Sequence, residues 1–413
     1  MKVGIMLSPG IVFPTLLKPQ YLDYLDMLEN LSKEHQLFVI GNMTEKLPFA
    51  SAQSTYPHTN PSNLNKLVTK FSNVLLTQSN KNPLIAKLRD RYNNSGSSKL
   101  EAFCSDFFAH NDVDIFYVFP FYPETFYFSI AKKFDKPLIC EFWEDQVVFN
   151  AEFMHAKNYD HRIIEQEMDR RYDWFKAIVN FSSSIIVPSH IFRKKIESIR
   201  ADKKIDVIRV CAKRQIESDS SPLRRDYGIE NLVVVYYSSS VSPWHDIDTL
   251  KSAVQKMKNK TGVVLILTGD RRILEEKVQS IDGIRIILTG TLSQEEAAKH
   301  LCLADICVAP YRFHYSSGFF PGKIVRYMMA GKAVIATELD EVKEVLSDAG
   351  LLVAQCDADG FAKSLDLLIE NRSLRHELGR SAMKIALEHY DWDVHSKKIG
   401  KVFDEVYSAK NNL

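Results

Sequence analysis

The sequence predicts an α/β protein of two doubly wound domains. Short apolar, β-branched runs recur from one end of the chain to the other and alternate with helically spaced stretches. That alternation is the mark of parallel strands covered by helices on both faces. At 413 residues the chain is also too long for one ordinary core. A polar stretch near its middle, KRQIESDSSP from Lys213 to Pro222, interrupts the alternation and reads as a linker.

The predicted strands run in order as Val3–Leu7, Leu37–Ile40, Ile115–Phe119, Leu138–Cys140, Ile185–Val187 and Val207–Val210, then Val233–Tyr237, Val263–Leu267, Ile284–Leu288, Ile306–Ala309, Ala333–Ala336 and Leu351–Val353. Divided six and six, they give Rossmann-like domains over residues 1–212 and 224–388, joined by a linker at 213–223 and followed by a C-terminal helix at 389–413. Ligands of such sheets bind beyond the carboxyl ends of the strands, so a site in a cleft between the two domains is expected.

Composition excludes several classes. With 45% hydrophobic and 25% charged residues the chain is globular, and a net charge of +1 supplies no general pull towards nucleic acid. Cys104, Cys140, Cys211, Cys302, Cys307 and Cys356 lack metal-ligand spacing and read as buried free thiols of a reducing compartment. The opening MKVGIMLSPG reads as a first strand and turn, since its apolar run is too short for a signal peptide, and no run approaches the ~20 apolar residues of a membrane span. No GxGxxG follows a predicted strand, which disfavours a dinucleotide-dependent oxidoreductase.

The segment FFPGKIVRYMMAGKAVIAT, Phe319 to Thr337, is the most informative. Pro321 and Gly322 punctuate a loop, Ile324 to Ala330 follow helical spacing, Gly331 suits a left-handed C-cap, and Ala333 to Ala336 form a buried strand. Lys323 therefore reads as an exposed lysine beside a helix N-terminus, where backbone N–H groups and the helix dipole favour an anion. This segment resembles the donor site of retaining nucleotide-sugar glycosyltransferases of the GT-B fold (glycosyltransferase group 1, family 4-like), which read like SPxKLxEYMAxGKPVIAT. Pro321, Lys323, Ile324, Tyr327, Met328, Ala330, Gly331, Lys332, Val334, Ile335, Ala336 and Thr337 fit that pattern. Two positions depart from it: Arg326 and Gly318 stand where the family carries glutamates.

The resemblance implies the GT-B architecture, two Rossmann-like domains facing a central cleft. It implies a donor bound by the C-terminal domain and a last helix, from about residue 390, that packs back on the N-terminal half. It directs Lys323 at the donor diphosphate and puts Ser240 and His245, in YSSSVSPWHD, at the family's arginine and lysine positions. Ser316, Ser317 and Gly318 would offer hydroxyls and amides to the same anion. Gly269 and Arg271, in LTGDRR, also face the diphosphate, unless the arginine only pairs locally. Gly290 and Leu292, in LTGTLS, correspond to the turn that receives the nucleobase. Arg326 cannot accept ribose hydroxyls as a carboxylate does. It therefore pairs with an extra phosphate or acid on the donor, turns to an acidic neighbour, or marks a chain that has lost its donor.

In the N-terminal domain, Glu141, Trp143 and Glu144 of CEFWEDQ stand at the positions of a family motif, DxHD, that faces the acceptor, with no histidine among them. Glu144 or Asp145 would orient the acceptor or act as base; the plain alternative is a loop of ordinary salt bridges. Ser8, Pro9 and Gly10 match the family's first loop, which approaches donor and acceptor. The region 63–92 reads as a basic amphipathic helix able to lie on anionic lipid or, equally, as a core-packed helix with a solvated basic side. The resemblance thus implies a cytoplasmic glycosyltransferase, free or peripheral at the inner face of a membrane. It would need no metal and no cofactor beyond the nucleoside-diphosphate sugar, and would transfer to a hydroxyl of a glycan, lipid-linked or small-molecule acceptor. The competing reading is a non-catalytic GT-B-fold partner or regulatory subunit.

Overall fold

The computed structural model describes residues 1–7, 12–13, 26–43, 47–55, 100–209, 211–212, 219–238, 244–278, 281–312 and 322–411. The chain divides into two compact units. The first comprises Met1–Ala151, Tyr159–Ile208 and Ser396–Leu413, the second Glu152–Asn158 and Arg209–His395. The basic region 63–92 lies outside the described residues. Among the described residues no helix is long and apolar enough to cross a membrane.

The first unit is built on β1 (Lys2–Met6), β2 (Val12–Phe13), β3 (Gln36–Met43), β4 (Ala52–Thr55), β5 (Ile115–Val118), β6 (Leu138–Glu141), β7 (Ser184–Val187) and β8 (Ile205–Val207). These form an eight-stranded sheet in the order β2-β3-β1-β5-β6-β7-β8, with β4 on β3. Every pairing is parallel. Leu138, Cys140, Ile185 and Val187 pack one face onto Phe126, Phe175, Ile178 and Phe192 of the covering helices. On the other face Tyr117 meets Phe403 of the C-terminal helix Trp392–Asn411 edge to face at 5.1 Å, and Phe403 also meets His35. Lys204 and Lys410 pair with Glu405 and Asp135, so the helix from Ser396 onward is held within the first unit.

The second unit carries β9 (Val233–Ser238), β10 (Val263–Thr268), β11 (Arg285–Gly290), β12 (Ile306–Ala309), β13 (Ala333–Thr337) and β14 (Leu351–Val353). Its sheet runs β11-β10-β9-β12-β13-β14, all parallel. Counted from β9 this is the 3-2-1-4-5-6 order of a dinucleotide-type fold, whose switch point lies between β9 and β12. Alternate strand residues pack on Ile247, Leu250, Phe361 and Leu365. The intervening ones, Tyr236, Ile266, Cys307 and Val334, are buried on the opposite face.

Local chemistry explains the element ends. Ser293 and Glu296 form a reciprocal capping box that starts the helix Gln294–Leu303. Gly331 closes the helix Gly322–Met329 at φ +65, as its left-handed C-cap role requires.

Several expectations are corrected. The last strand of the first sheet is Ile205–Val207, not Val207–Val210. β4, sequence AQST, was invisible to an apolar-run criterion because it is polar and half-buried along its length. Ser221 and Pro222, read as linker, begin the helix Ser221–Tyr227, since proline is tolerated in a first helical turn. The six cysteines are free thiols, but Cys302 is only partly buried and Cys356 is exposed.

Candidate functional site

The carboxyl ends of β9 and β12 meet at the switch point. Residues Trp244 to Asp246 run antiparallel to Pro310–Arg312: the Asp246 amide donates to the Pro310 carbonyl at 3.1 Å, and the Arg312 amide to the Trp244 carbonyl at 2.8 Å. Asp246, 3% exposed, caps the helix Ile247–Lys256 through the Thr249 amide and holds the Arg312 guanidinium at 2.8 Å. Tyr311 is anchored by its own amide, which donates to the Thr337 hydroxyl at 2.8 Å. From the facing helix, the Tyr327 hydroxyl accepts the Ser238 amide at 3.1 Å and so fixes the end of β9.

Lys323 enters this frame as the second residue of the helix Gly322–Met329. Its stem keeps some surface open, but the ammonium nitrogen is buried and finds no hydrogen-bond partner among the described residues. It lies 4.6 Å from the ring centre of Tyr237 and 5.5 Å from that of Tyr311. Burial first, and then the Arg326 charge one helical turn away, bring its pKa down to about 7. The expected exposed lysine is thus a desolvated one, because Tyr237 and Tyr311 close over it. Its ring contacts are favourable to a cation but replace water only in part.

His245 belongs to the same cluster. Its ring stands 5.8 Å from Tyr311, and burial followed by the Lys323 charge holds its pKa well below the usual histidine range. It is a neutral hydrogen-bonding group at pH 7 rather than a second cation. Arg326 also faces this corner, since its charge bears on the Tyr311 phenol as well as on Lys323.

Gly269 and Gly290 are brought together at the neighbouring strand ends, where the Gly269 amide donates to the Gly290 carbonyl at 3.1 Å. The Thr268 and Thr289 hydroxyls pair below them at 3.1 Å. Gly290 has φ +76 and open space where a side chain would stand. Leu292 follows it, half-buried. Arg271 keeps an exposed guanidinium and makes the local pairing that its sequence allowed, to Glu275 on its own helix at 2.8 Å. Gly10, Ser240, Ser317 and Gly318, with Ser8, Pro9, Ser316 and Pro321, lie outside the described residues.

The first unit carries a separate cluster at the carboxyl end of β6. Glu141 is 2% exposed and accepts hydrogen bonds from the Tyr117 hydroxyl and, at 2.6 Å, from Trp143 Nε1. Burial raises its pKa to about 7, with both donors opposing the rise. Glu144 is likewise raised to about 7, by burial and then by the Asp145 charge. Its surface is partly open, and its side chain makes no hydrogen bond or ion pair with a described residue. Asp145, by contrast, is committed to the scaffold. One oxygen accepts the Val147 and Val148 amides at the start of the helix Gln146–Ala156, and the other takes the Lys195 ammonium. Of the two carboxylates expected to serve the acceptor, only Glu144 is available to a ligand.

Sequence reasoning missed Tyr311, Arg312 and the capping role of Asp246. The dipeptide Tyr311–Arg312 directly follows the buried run of β12, a strand-end position that could have drawn attention.

Residues 231–371 match the family model described as glycosyl transferases group 1, a span that contains Asp246, His245, Tyr311, Lys323 and Arg326. The chain is 29% identical over 195 residues to a phosphatidyl-myo-inositol mannosyltransferase of Mycolicibacterium smegmatis, covering 46% of this chain and 49% of that one. It spans about half the length of the curated relatives it matches. Among solved structures it superposes on a sucrose-phosphate synthase of Thermosynechococcus elongatus with a TM-score of 0.75 at 15% identity, over 99% of this chain and 100% of that one. It also superposes on Anabaena HepE in complex with UDP-glucose, with a TM-score of 0.64 at 16% identity, over 98% and 100%. The fold is GT-B: two parallel, doubly wound units of this kind.

Proposed function

We propose that the chain is a glycosyltransferase that moves a sugar from a nucleoside-diphosphate donor to an acceptor hydroxyl with retention of anomeric configuration. The observation that carries this reading is the buried Lys323 ammonium, with no hydrogen-bond partner among the described residues, at the switch point of the second sheet. A desolvated ammonium beside a second cation, Arg326, and a neutral imidazole, His245, is incomplete without an anion, and a diphosphate supplies one. The group 1 family match over the same segment supports the choice of a sugar nucleotide, as do the UDP and UDP-glucose complexes of a protein sharing the fold.

Lys323 would bind the diphosphate and neutralise the charge that grows on it as the bond from the sugar C1 to phosphate oxygen breaks. The electron pair of that bond stays on the diphosphate. The acceptor oxygen forms the new bond to C1 on the same face, and its proton passes to the departing phosphate oxygen. His245 would donate a hydrogen bond to the same group, and the Gly290–Leu292 turn would receive the base on backbone groups. Glu144, in the first unit, would orient the acceptor hydroxyl. The chemistry so described uses no metal and no further cofactor.

Thermal unfolding with UDP, GDP, ADP and their sugar conjugates tests the reading, because a ligand bound only by the folded state raises the Tm. A shift with one base, absent in Lys323→Ala, is expected. A well-folded protein that responds to none would point instead to a non-catalytic partner subunit.

A further inference from the structure

Tyr311, one of the two rings over Lys323, stands on a short frame. The Asp246 amide donates to the Pro310 carbonyl and the Arg312 amide to the Trp244 carbonyl, so His245 and Tyr311 face each other as an isolated antiparallel pair. Pairing this short is marginal without further support. The support comes from the two residues that follow the pair, Asp246 on one side and Arg312 on the other. The Arg312 guanidinium donates to both oxygens of the Asp246 carboxylate, from Nη2 at 2.8 Å and from Nε at 3.4 Å. The same carboxylate accepts the Thr249 amide at 3.1 Å and the Thr249 hydroxyl at 2.7 Å, which fastens the bridge to the helix Ile247–Lys256. An ionised acceptor with each oxygen committed to fixed donors holds one geometry.

The consequence falls on Lys323. What acts on its ammonium directly is burial and then the Arg326 charge. The other titratable groups around it are the Tyr237 and Tyr311 phenols and the His245 imidazole. The ion pair reaches it through Tyr311, whose ring centre lies 5.5 Å from Nζ. Ring and lysine belong to separate segments, so no local backbone preference holds one over the other. A ring that left this place would admit water to the ammonium, and hydration favours the charged form.

We propose that Asp246 and Arg312 are positioning residues that hold Tyr311 over Lys323 and keep its ammonium dry until an anion arrives. The clamp stands on the geometry of the second unit; only the identity of the anion, a diphosphate, rests on the donor reading. A dry ammonium attracts an anion more strongly than a hydrated one, because the pair then acts in a lower dielectric.

Competitive acetylation of the full chain with trace acetic anhydride, read by peptide mass spectrometry across a pH series, follows the Lys323 amine with no nucleotide present. Wild type should show a midpoint near 7. Asp246→Asn keeps a side chain able to cap the helix but loses the ion pair. Arg312, its side chain 45% exposed, can be changed to Gln without opening the core. In each variant the Lys323 midpoint should rise by at least about one pH unit, and Arg312→Lys should restore part of the wild-type value. Tyr311→Ala should give the same rise, and adding Arg312→Gln to it should give no more, because the pair acts through that ring. Folded variants whose Lys323 midpoint stays at the wild-type value, whatever their Tm, would overturn the proposal, as would a wild-type midpoint near 10.5. Titration of the same proteins with UDP reads the donor separately. Midpoints that move as stated in a protein that ignores UDP would keep the clamp and sink the donor reading.

Discussion

The Lys323 ammonium lies 4.6 Å from the centre of the Tyr237 ring, in a position no solvent reaches. The ring face attracts the charge, but burial and the nearby Arg326 outweigh that attraction and bring the lysine down to about 7. The residue proposed to meet the diphosphate is thus one that weakens the free protein.

The sign follows from linkage. A lysine with a depressed folded pKa contributes stability that is complete above its ordinary value of 10.5 and lost as pH falls towards 7. Lys323→Met, similar in length and compatible with two tyrosine rings, is expected to raise the Tm at pH 7.5 by at least about 2 °C. The gain should shrink as pH approaches 10. Diphosphate binding restores the charge, so wild-type affinity for UDP should fall above pH 7 by up to about tenfold per pH unit. Calorimetric titration of UDP between pH 6.5 and 9 measures that slope, which a solvated lysine would not produce.

Glu141 titrates the other way. Its folded pKa is raised to about 7, so its contribution is full below about 4.5 and is lost as pH rises to 7. Glutamine has no such loss. From pH 5 to pH 8 the stability difference should move in favour of Glu141→Gln by on the order of 1–3 kcal/mol. Urea unfolding of both proteins at the two pH values reads this directly. A difference independent of pH would mean that the carboxyl is hydrated.

The turn after the helix Gly322–Met329 depends on a close approach. A Cβ on Gly379 would stand 2.2 Å from the Gly331 carbonyl oxygen, because the helix Arg372–His389 packs its backbone against that turn. Gly379→Ala must push the helix away, at a cost of roughly 1–3 kcal/mol. Because Gly331 ends the helix that bears Lys323, the response to UDP should weaken along with the Tm. Chemical denaturation and UDP titration of the variant check both, and an unperturbed Tm would show that the two backbones are further apart.

The architecture can be read from the amino-acid sequence alone. Both parallel sheets are legible because strands buried on two faces must be continuous apolar runs, and their alternation with helical spacing leaves few topologies open. The corner that carries Lys323 was legible as a local arrangement, since a helix start, a lysine and a C-cap glycine are local signals. Strands without an apolar run, such as β4, carry no such signal and were missed. The environment of the site residues is set by contacts distant in sequence. Lys323 is desolvated because tyrosines 86 and 12 positions away in the chain, Tyr237 and Tyr311, close over it. Arg271 pairs with Glu275 on its own helix, and Asp145 is taken by Lys195, 50 residues on. Charge state and availability are set by neighbours that only folding brings together, and no local pattern encodes them.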